Sequence, residues 1–182
     1  MNELAELIKA HQDSGPEEAI LHYLNAYQKN PNDELAYLIG ICYGQIGQPK
    51  KSMEYFDKIS QASYRVLNAK AGAAITSRDY NTAEELLTQS ITLKPDNANA
   101  YAALARLFSS KREYTRAITH LQKAITIAPK VADYHYNLGL AYQNSYRIED
   151  ALTAFKTAVN YDVKHPAAWR GRGLCLEIKS DF

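Results

Sequence analysis

The sequence predicts an all-α fold built from a helical unit that repeats every 34 residues. Small residues show the interval most clearly, because Ala83, Ala117 and Ala151 are spaced 34 positions apart. Other residue types share the interval or its double: Pro95 with Pro129, Tyr80 with Tyr114, and Tyr114 with Phe182. Within each unit, apolar residues recur at the three- and four-residue spacing of one helix face. A fixed period of this length is typical of a repeat array rather than of a single globular core.

The stretch from Ala132 to Pro166 carries the clearest copy of the unit. Its characteristic residues are, in chain order, Leu138, Gly139, Tyr142, Ala151, Phe155 and Ala158. This pattern resembles the tetratricopeptide repeat, W-x2-L-G-x2-Y followed by A-x3-F and P. His135 stands in place of the Trp, and Val163 in place of the Pro. The resemblance covers nearly the whole chain and implies a right-handed superhelical solenoid of antiparallel helix pairs, with about five and a half repeats and eleven helices.

When the other repeats are placed in register with this copy, the pattern implies one repeat domain over residues 1–182. Its approximate repeats are 1–32, 33–63, 64–97, 98–131 and 132–165, followed by a terminal half repeat or cap over 166–182. Each repeat is expected to contain a helix A, a tight turn and a helix B. Helical spacing predicts the first helix A over about 2–13, and Pro16 suits the first position of the helix B that follows.

The second repeat is predicted to be irregular. From Ser52 to Ala83 the interval is 31 residues, three short of the period, and the shortening lies after Ile59. We therefore expect helix B of this repeat, which would contain Ser52, Phe56 and Ile59, to end about one turn early. The third repeat matches the motif least well, because Lys70 stands where a Leu is expected.

Composition excludes some classes of function. The chain is 46% hydrophobic and 23% charged, with a net charge of +1, so bulk charge does not point to nucleic acid or to an anionic membrane. No run approaches the roughly 18 apolar residues of a membrane-spanning helix, and no membrane insertion is expected. The N-terminus carries acidic residues and lacks the layout of a signal peptide. A cytoplasmic protein is expected.

No motif of catalysis or of cofactor binding is found. Gly40, Gly44 and Gly47 follow helical spacing and do not form a nucleotide-binding loop, and the histidines are scattered without metal-ligand spacing. Glu149 and Asp150 occupy the first turn of a predicted helix, where they stabilise its dipole. The two cysteines, Cys42 and Cys175, share one repeat position and are expected to be buried free thiols. We expect a protein that is not an enzyme and has no cofactor and no metal.

The resemblance implies a concave groove lined by helix A of each repeat. Transferring the family's inward positions, together with one position of its carboxylate clamp for Asn137, gives a candidate partner-binding set: Tyr37, Arg65, Asn68, Asn99, Arg106, Tyr136, Asn137, Asn144 and Arg170. Asn and Arg can satisfy an extended peptide backbone or a carboxylate. Some members of the family clamp a C-terminal carboxylate. Asn137 fits one position of that clamp, but Ala102 and Arg106 stand where its Lys and Asn are expected, so binding of that type is not predicted.

The most direct expectation is a scaffold or adaptor that binds a peptide or helix of a partner protein in this groove. The alternative is a fragment of a larger protein, such as the substrate-recruiting helical arm of a glycosyltransferase-like enzyme or part of a self-assembling scaffold. The predicted helix over about 166–179 carries more apolar residues than one contact can bury. Either self-association into a homo-oligomer through this helix, or docking of a neighbouring segment in place of a helix B, is therefore expected.

Overall fold

The computed structural model describes residues 15–180, and ten α-helices lie in that range. They are α1 (Pro16–Lys29), α2 (Asp33–Gln45), α3 (Pro49–Phe56), α4 (Tyr64–Thr76), α5 (Tyr80–Leu93), α6 (Ala98–Ser110), α7 (Tyr114–Ile127), α8 (Ala132–Asn144), α9 (Ile148–Tyr161) and α10 (Pro166–Ser180). The all-α prediction is confirmed. The additional helix expected over 2–13, which would make eleven, lies outside the described residues. None of the ten described helices is long and apolar enough to span a membrane.

The helices form two compact units, divided after Leu93. In the first unit, each of α1 to α4 packs against the helix that follows it, and α2 also contacts α4. In the second unit, each of α6 to α9 packs against the helix that follows it, and α8 also contacts α6 and α10. Within each unit, the first helices of successive repeats therefore lie side by side as one layer, and the second helices pack against this layer.

Small residues mark the places where helices approach closely. Ala83, Ala117 and Ala151 are completely buried, as the repeat phase predicts. Gly139 of α8 lies against the ring of Phe155 of α9, and Gly40 of α2 lies against the ring of Phe56 of α3 in the same way. A larger side chain at either glycine would keep the two helices apart, because cores tolerate little added volume.

Helix α3 ends early, as expected, but the shortening exceeds one turn. It has 8 residues, whereas α5, α7 and α9 have 14 each. The expectation that Ile59 lies on this helix is wrong, because the helix ends at Phe56 and Ile59 belongs to the following loop. The loop is anchored to α2, since Ser60 donates hydrogen bonds from its backbone N–H and its hydroxyl to the carboxylate of Asp33.

The unusual residue of the third repeat has a role at this irregular joint. The ammonium group of Lys70, on α4, lies 2.6 Å from the carboxylate of Asp57, which directly follows α3. The charged side chain that replaces the expected Leu thus reaches the end of the shortened neighbouring helix.

Candidate partner-binding groove

The layer of first helices in the second unit contains two hollows that share a wall. A hollow of about 280 Å³ is lined by Ala105, Arg106, Ser109, Ser110, Leu121, Asn137, Leu140 and Asn144. A smaller one of about 160 Å³ is lined by Asn99, Ala102, Ala103, Arg106 and Asn137. Arg106 of α6 and Asn137 of α8 line both hollows, so they form the boundary between them. Four of the candidate residues, Asn99, Arg106, Asn137 and Asn144, are thus gathered in one surface.

Arg106 supplies the charge of this surface. Its side chain is exposed, and its guanidinium group makes no ion pair with any residue that the structure describes. Arg106 therefore keeps its N–H donors available for a planar anion such as a carboxylate.

The three asparagines differ in how their side chains are held. The Oδ1 atom of Asn99 accepts a hydrogen bond of 2.6 Å from the hydroxyl of Tyr134. The Nδ2 atom of Asn144 donates to the carbonyl of Leu140, one turn earlier on the same helix. Asn137 is exposed, and its amide is unbonded within the described part of the chain. Its donor and its acceptor can both serve a peptide backbone.

The ring of Tyr136 packs against neighbouring rings and is not among the residues that line the two hollows. It is half-buried, with its ring centroid 5.9 Å from that of Phe155 and 4.9 Å from that of His165. His165 also fixes the start of α10, because its Nδ1 atom accepts a hydrogen bond from the backbone N–H of Ala168. Packing against Phe155 and His165 occupies much of the Tyr136 ring and leaves less of it for contact with a partner. Arg170 is exposed on α10 and is not among the residues that line the two hollows.

The first unit has a separate cleft that exists because α3 is short. The cleft measures about 190 Å³ and is lined by Asp33, Glu34, Tyr37, Ile59, Gln61, Ser63, Arg65 and Val66. Three of these, Ile59, Gln61 and Ser63, belong to the loop that replaces the missing helical turns. Sequence reasoning missed Ile59, Gln61 and Ser63 as lining residues, because the repeat pattern specifies no loop conformation at this point.

Two of the candidate residues in this cleft contact each other. The guanidinium carbon of Arg65 lies 4.9 Å from the ring centroid of Tyr37, which is within cation–π range. The same ring also packs on Phe56, at a centroid distance of 5.9 Å. At the rim of the cleft, the hydroxyl of Ser60 and then its backbone N–H hold the pKa of the Asp33 carboxyl below its ordinary value, so this carboxylate stays charged.

The side-chain amide of Asn68 has an oxygen atom that lacks a hydrogen-bond donor in the described part of the chain. Its Oδ1 atom is buried, and no hydrogen-bond donor reaches it from the described residues. A buried acceptor without a donor costs about 1–3 kcal/mol relative to a satisfied one.

Groups suited to metal binding are not found in the described part of the chain. No cluster there brings together three or more His, Cys, Asp or Glu side chains. Cys42 and Cys175 are completely buried, as expected. The polar groups that line the two hollows of the second unit are amides, hydroxyls and the guanidinium group of Arg106, which bind by hydrogen bonding.

Comparison with known proteins places these helix pairs in one family. Family models described as tetratricopeptide repeat match residues 33–63, 64–97 and 133–182, and a model described as TPR repeat matches residues 106–145. The structure of a thermophilic tetratricopeptide-repeat protein from Thermus thermophilus superposes with a TM-score of 0.85 over 95% of this chain and 96% of that one, at 14% identity.

Two relatives illustrate the similarity in sequence. The anaphase-promoting complex subunit 3 of Schizosaccharomyces pombe is 25% identical over 83% of this chain and 24% of its own length. The small glutamine-rich tetratricopeptide repeat-containing protein 2 of Saccharomyces cerevisiae is 30% identical over 58% of this chain and 31% of its own length. The chain thus spans about a quarter to a third of these relatives. The motif, the helix pairs and the matched models together show that the chain belongs to the tetratricopeptide-repeat family.

Proposed function

We propose that the protein is an interaction scaffold that binds a segment of a partner protein along the inner helices of its repeats. The observation that carries the proposal is the position of Arg106 and Asn137, which line two adjoining hollows and have no side-chain partners in the described residues. An extended peptide can place an acidic side chain or a C-terminal carboxylate on Arg106 and its backbone amides on Asn137. Asn99 and Asn144 extend this polar surface on either side.

The first unit contributes a second contact area, formed by Tyr37, Arg65 and Asn68. Arg65 and Tyr37 offer a cation packed against an aromatic ring, and Asn68 follows Arg65 three residues later on α4. Arg170 is proposed as a further contact on α10. Partner binding of this kind is recruitment rather than catalysis. The alternative of a substrate-recruiting enzyme arm is not favoured by the relatives, whose names describe complex subunits and tetratricopeptide-repeat proteins.

The test begins with a library of displayed linear peptides selected on the full chain. The selected peptide is synthesised, and its dissociation constant is measured for the wild type, Arg106→Glu and Asn137→Ala. We expect Arg106→Glu to weaken binding at least about tenfold, with a smaller loss for Asn137→Ala. The affinity should also fall as salt is raised, because partly exposed charges are screened over about 8–10 Å.

Lys123→Glu is the matched control, because Lys123 is exposed on α7 and lines neither hollow. It makes the same change in net charge and should leave the affinity within about twofold after salt screening. Circular dichroism must show equal unfolding for all variants. If Arg106→Glu binds the selected peptide as tightly as the wild type does, the proposed surface is wrong.

A further inference from the structure

One wall of the cleft in the first unit is a loop that is held in place at two points. Near the middle of the loop, the hydroxyl of Ser60 donates a hydrogen bond of 2.7 Å to the carboxylate of Asp33 on α2. At its end, the hydroxyl of Ser63 accepts a hydrogen bond of 3.3 Å from the backbone N–H of Val66 on α4. The loop is thus tied to both helices that flank the cleft. A ligand does not have to order it on binding, which lowers the free-energy cost of binding.

The interior of this cleft has room for one long side chain. Its volume is about 190 Å³, whereas pockets that enclose a drug-sized molecule measure about 300–1,000 Å³. Tyr37, Ile59 and Val66 line it with apolar surface, and each of them is partly or fully buried. These residues can cover the stem of a ligand's side chain, so the cleft favours a side chain with a long apolar stem.

Two carboxylates line the cleft, and neither makes an ion pair with any residue that the structure describes. They belong to Asp33 and Glu34, in the first turn of α2. The hydrogen bonds from Ser60 hold the pKa of the Asp33 carboxyl below its ordinary value, and they come from neutral donors, so the negative charge is not cancelled. Glu34 is exposed. Arg65, the one cation among the residues that line the cleft, packs on the ring of Tyr37, with its guanidinium carbon 4.9 Å from the centroid.

We infer that this cleft takes an arginine side chain from a segment of a partner protein. An arginine carries an aliphatic stem, which suits the apolar lining, and a planar guanidinium group, which binds a carboxylate through two parallel hydrogen bonds. Glu34 can accept both bonds, and Asp33 adds a second negative charge beside it. An acidic side chain would be repelled by these two carboxylates, which outnumber the single guanidinium group of Arg65. Recognition of an arginine here rests on the proposed function, because it specifies which residue of the partner the first unit binds.

The probe for this cleft is the tripeptide Gly-Arg-Gly with both ends blocked, titrated into the full chain labelled with nitrogen-15. We expect saturable shifts of the backbone amide resonances of Tyr37, Gln61 and Ser63 in heteronuclear NMR spectra. The tripeptide in which citrulline replaces arginine has nearly the same shape without the charge. It should bind at least about fivefold more weakly, because it loses the charge-assisted hydrogen bonds. The tripeptide Gly-Glu-Gly should leave these resonances unchanged.

The decisive protein variant is Glu34→Gln, which removes one carboxylate and preserves the size of the side chain. It should bind the arginine tripeptide at least about fivefold more weakly than the wild type does. Glu18→Gln is the matched control, because Glu18 is also exposed in the first turn of a helix, α1, and does not line the cleft. It should keep the wild-type affinity, and circular dichroism should show that both variants are folded.

Four results would overturn the assignment of an arginine to this cleft. They are an absence of saturable shifts, equal affinity for the citrulline tripeptide, equal binding by Glu34→Gln, and shifts caused at the cleft by Gly-Glu-Gly. The proposed function is tested through Arg106 and Asn137, and neither residue lines this cleft. The two failures are therefore distinguishable, because an Arg106→Glu variant with unchanged affinity refutes the surface of the second unit, whereas the tripeptide results refute only the arginine site.

Discussion

The ring of Phe155 occupies the space that a side chain at Gly139 would need. A Cβ at Gly139 would lie 2.6 Å from this ring, and one at Gly171 of α10 would lie 2.7 Å from it on another side. The ring is thus enclosed by two glycines that belong to different helices. Phe155 is completely buried as a result, and it links α8, α9 and α10 in one packed group.

Alanine substitutions at Gly139 and Gly173 should therefore change stability in opposite directions. Gly139→Ala pushes a methyl group into the Phe155 ring and should lower the free energy of unfolding by about 1–3 kcal/mol. Gly173→Ala meets no described neighbour and should raise it by about 0.5–1 kcal/mol, because alanine loses less backbone entropy in a helix. Urea unfolding followed by circular dichroism measures both. A gain in stability for Gly139→Ala would contradict the packing described here.

Ala151 and Lys156 are two positions on α9 at which substitutions should have very different effects on stability. Ala151 is completely buried, whereas Lys156 is exposed on the other side of α9. Ala151→Glu adds both volume and a buried charge and should lower the free energy of unfolding by about 3 kcal/mol or more. Lys156→Glu should change it by about 0.5 kcal/mol or less. Equal losses in thermal or urea unfolding would show that the repeat phase is misassigned.

Tyr146 lies in a backbone conformation that disfavours its side chain. Its φ angle is 61°, and its side chain is 91% exposed, so little packing compensates for the strain. The equivalent turn of the second repeat uses Gly47, with φ of 73°. We expect Tyr146→Gly to raise the free energy of unfolding by up to about 1 kcal/mol, because glycine adopts positive φ freely. Tyr146→Ala keeps a Cβ and serves as the control. An equal gain for alanine would rule out backbone strain as the cause.

The thiol of Cys42 should be protected from alkylation in the native protein. Burial raises its pKa from the ordinary value of 9.0 to about 11, so the reactive thiolate is scarce at pH 8. Since the folded pKa lies above the unfolded one, burial of the neutral thiol stabilises the fold below pH 9.0, and this contribution is lost as the pH rises towards about 11. The iodoacetamide reaction of a Cys175→Ser variant, followed by mass spectrometry, isolates Cys42. Equal rates with and without urea at pH 8 would contradict this assignment.

Much of the fold follows from the sequence because the repeat is a local pattern. The helix boundaries in the described repeats depend on the spacing of residues such as Ala83, Ala117 and Ala151, and on turn residues between them. The motif also indicates that small residues such as Ala117 and Ala151 lie where helices cross closely, whereas the contact between Gly139 and Phe155 is seen only in the structure. The short interval after Ile59 likewise predicts an irregular joint, although it does not predict how many helical turns are lost.

Only the tertiary structure decided how the candidate groove residues are arranged. All nine were chosen by repeat position, yet the fold gathers Asn99, Arg106, Asn137 and Asn144 around two hollows while it packs Tyr136 against His165. It also places Arg65 over Tyr37. A repeat position fixes the side of the helix on which a residue lies. Whether the side chain there is free or occupied depends on neighbours from other helices and loops, whose identities and conformations do not repeat along the chain.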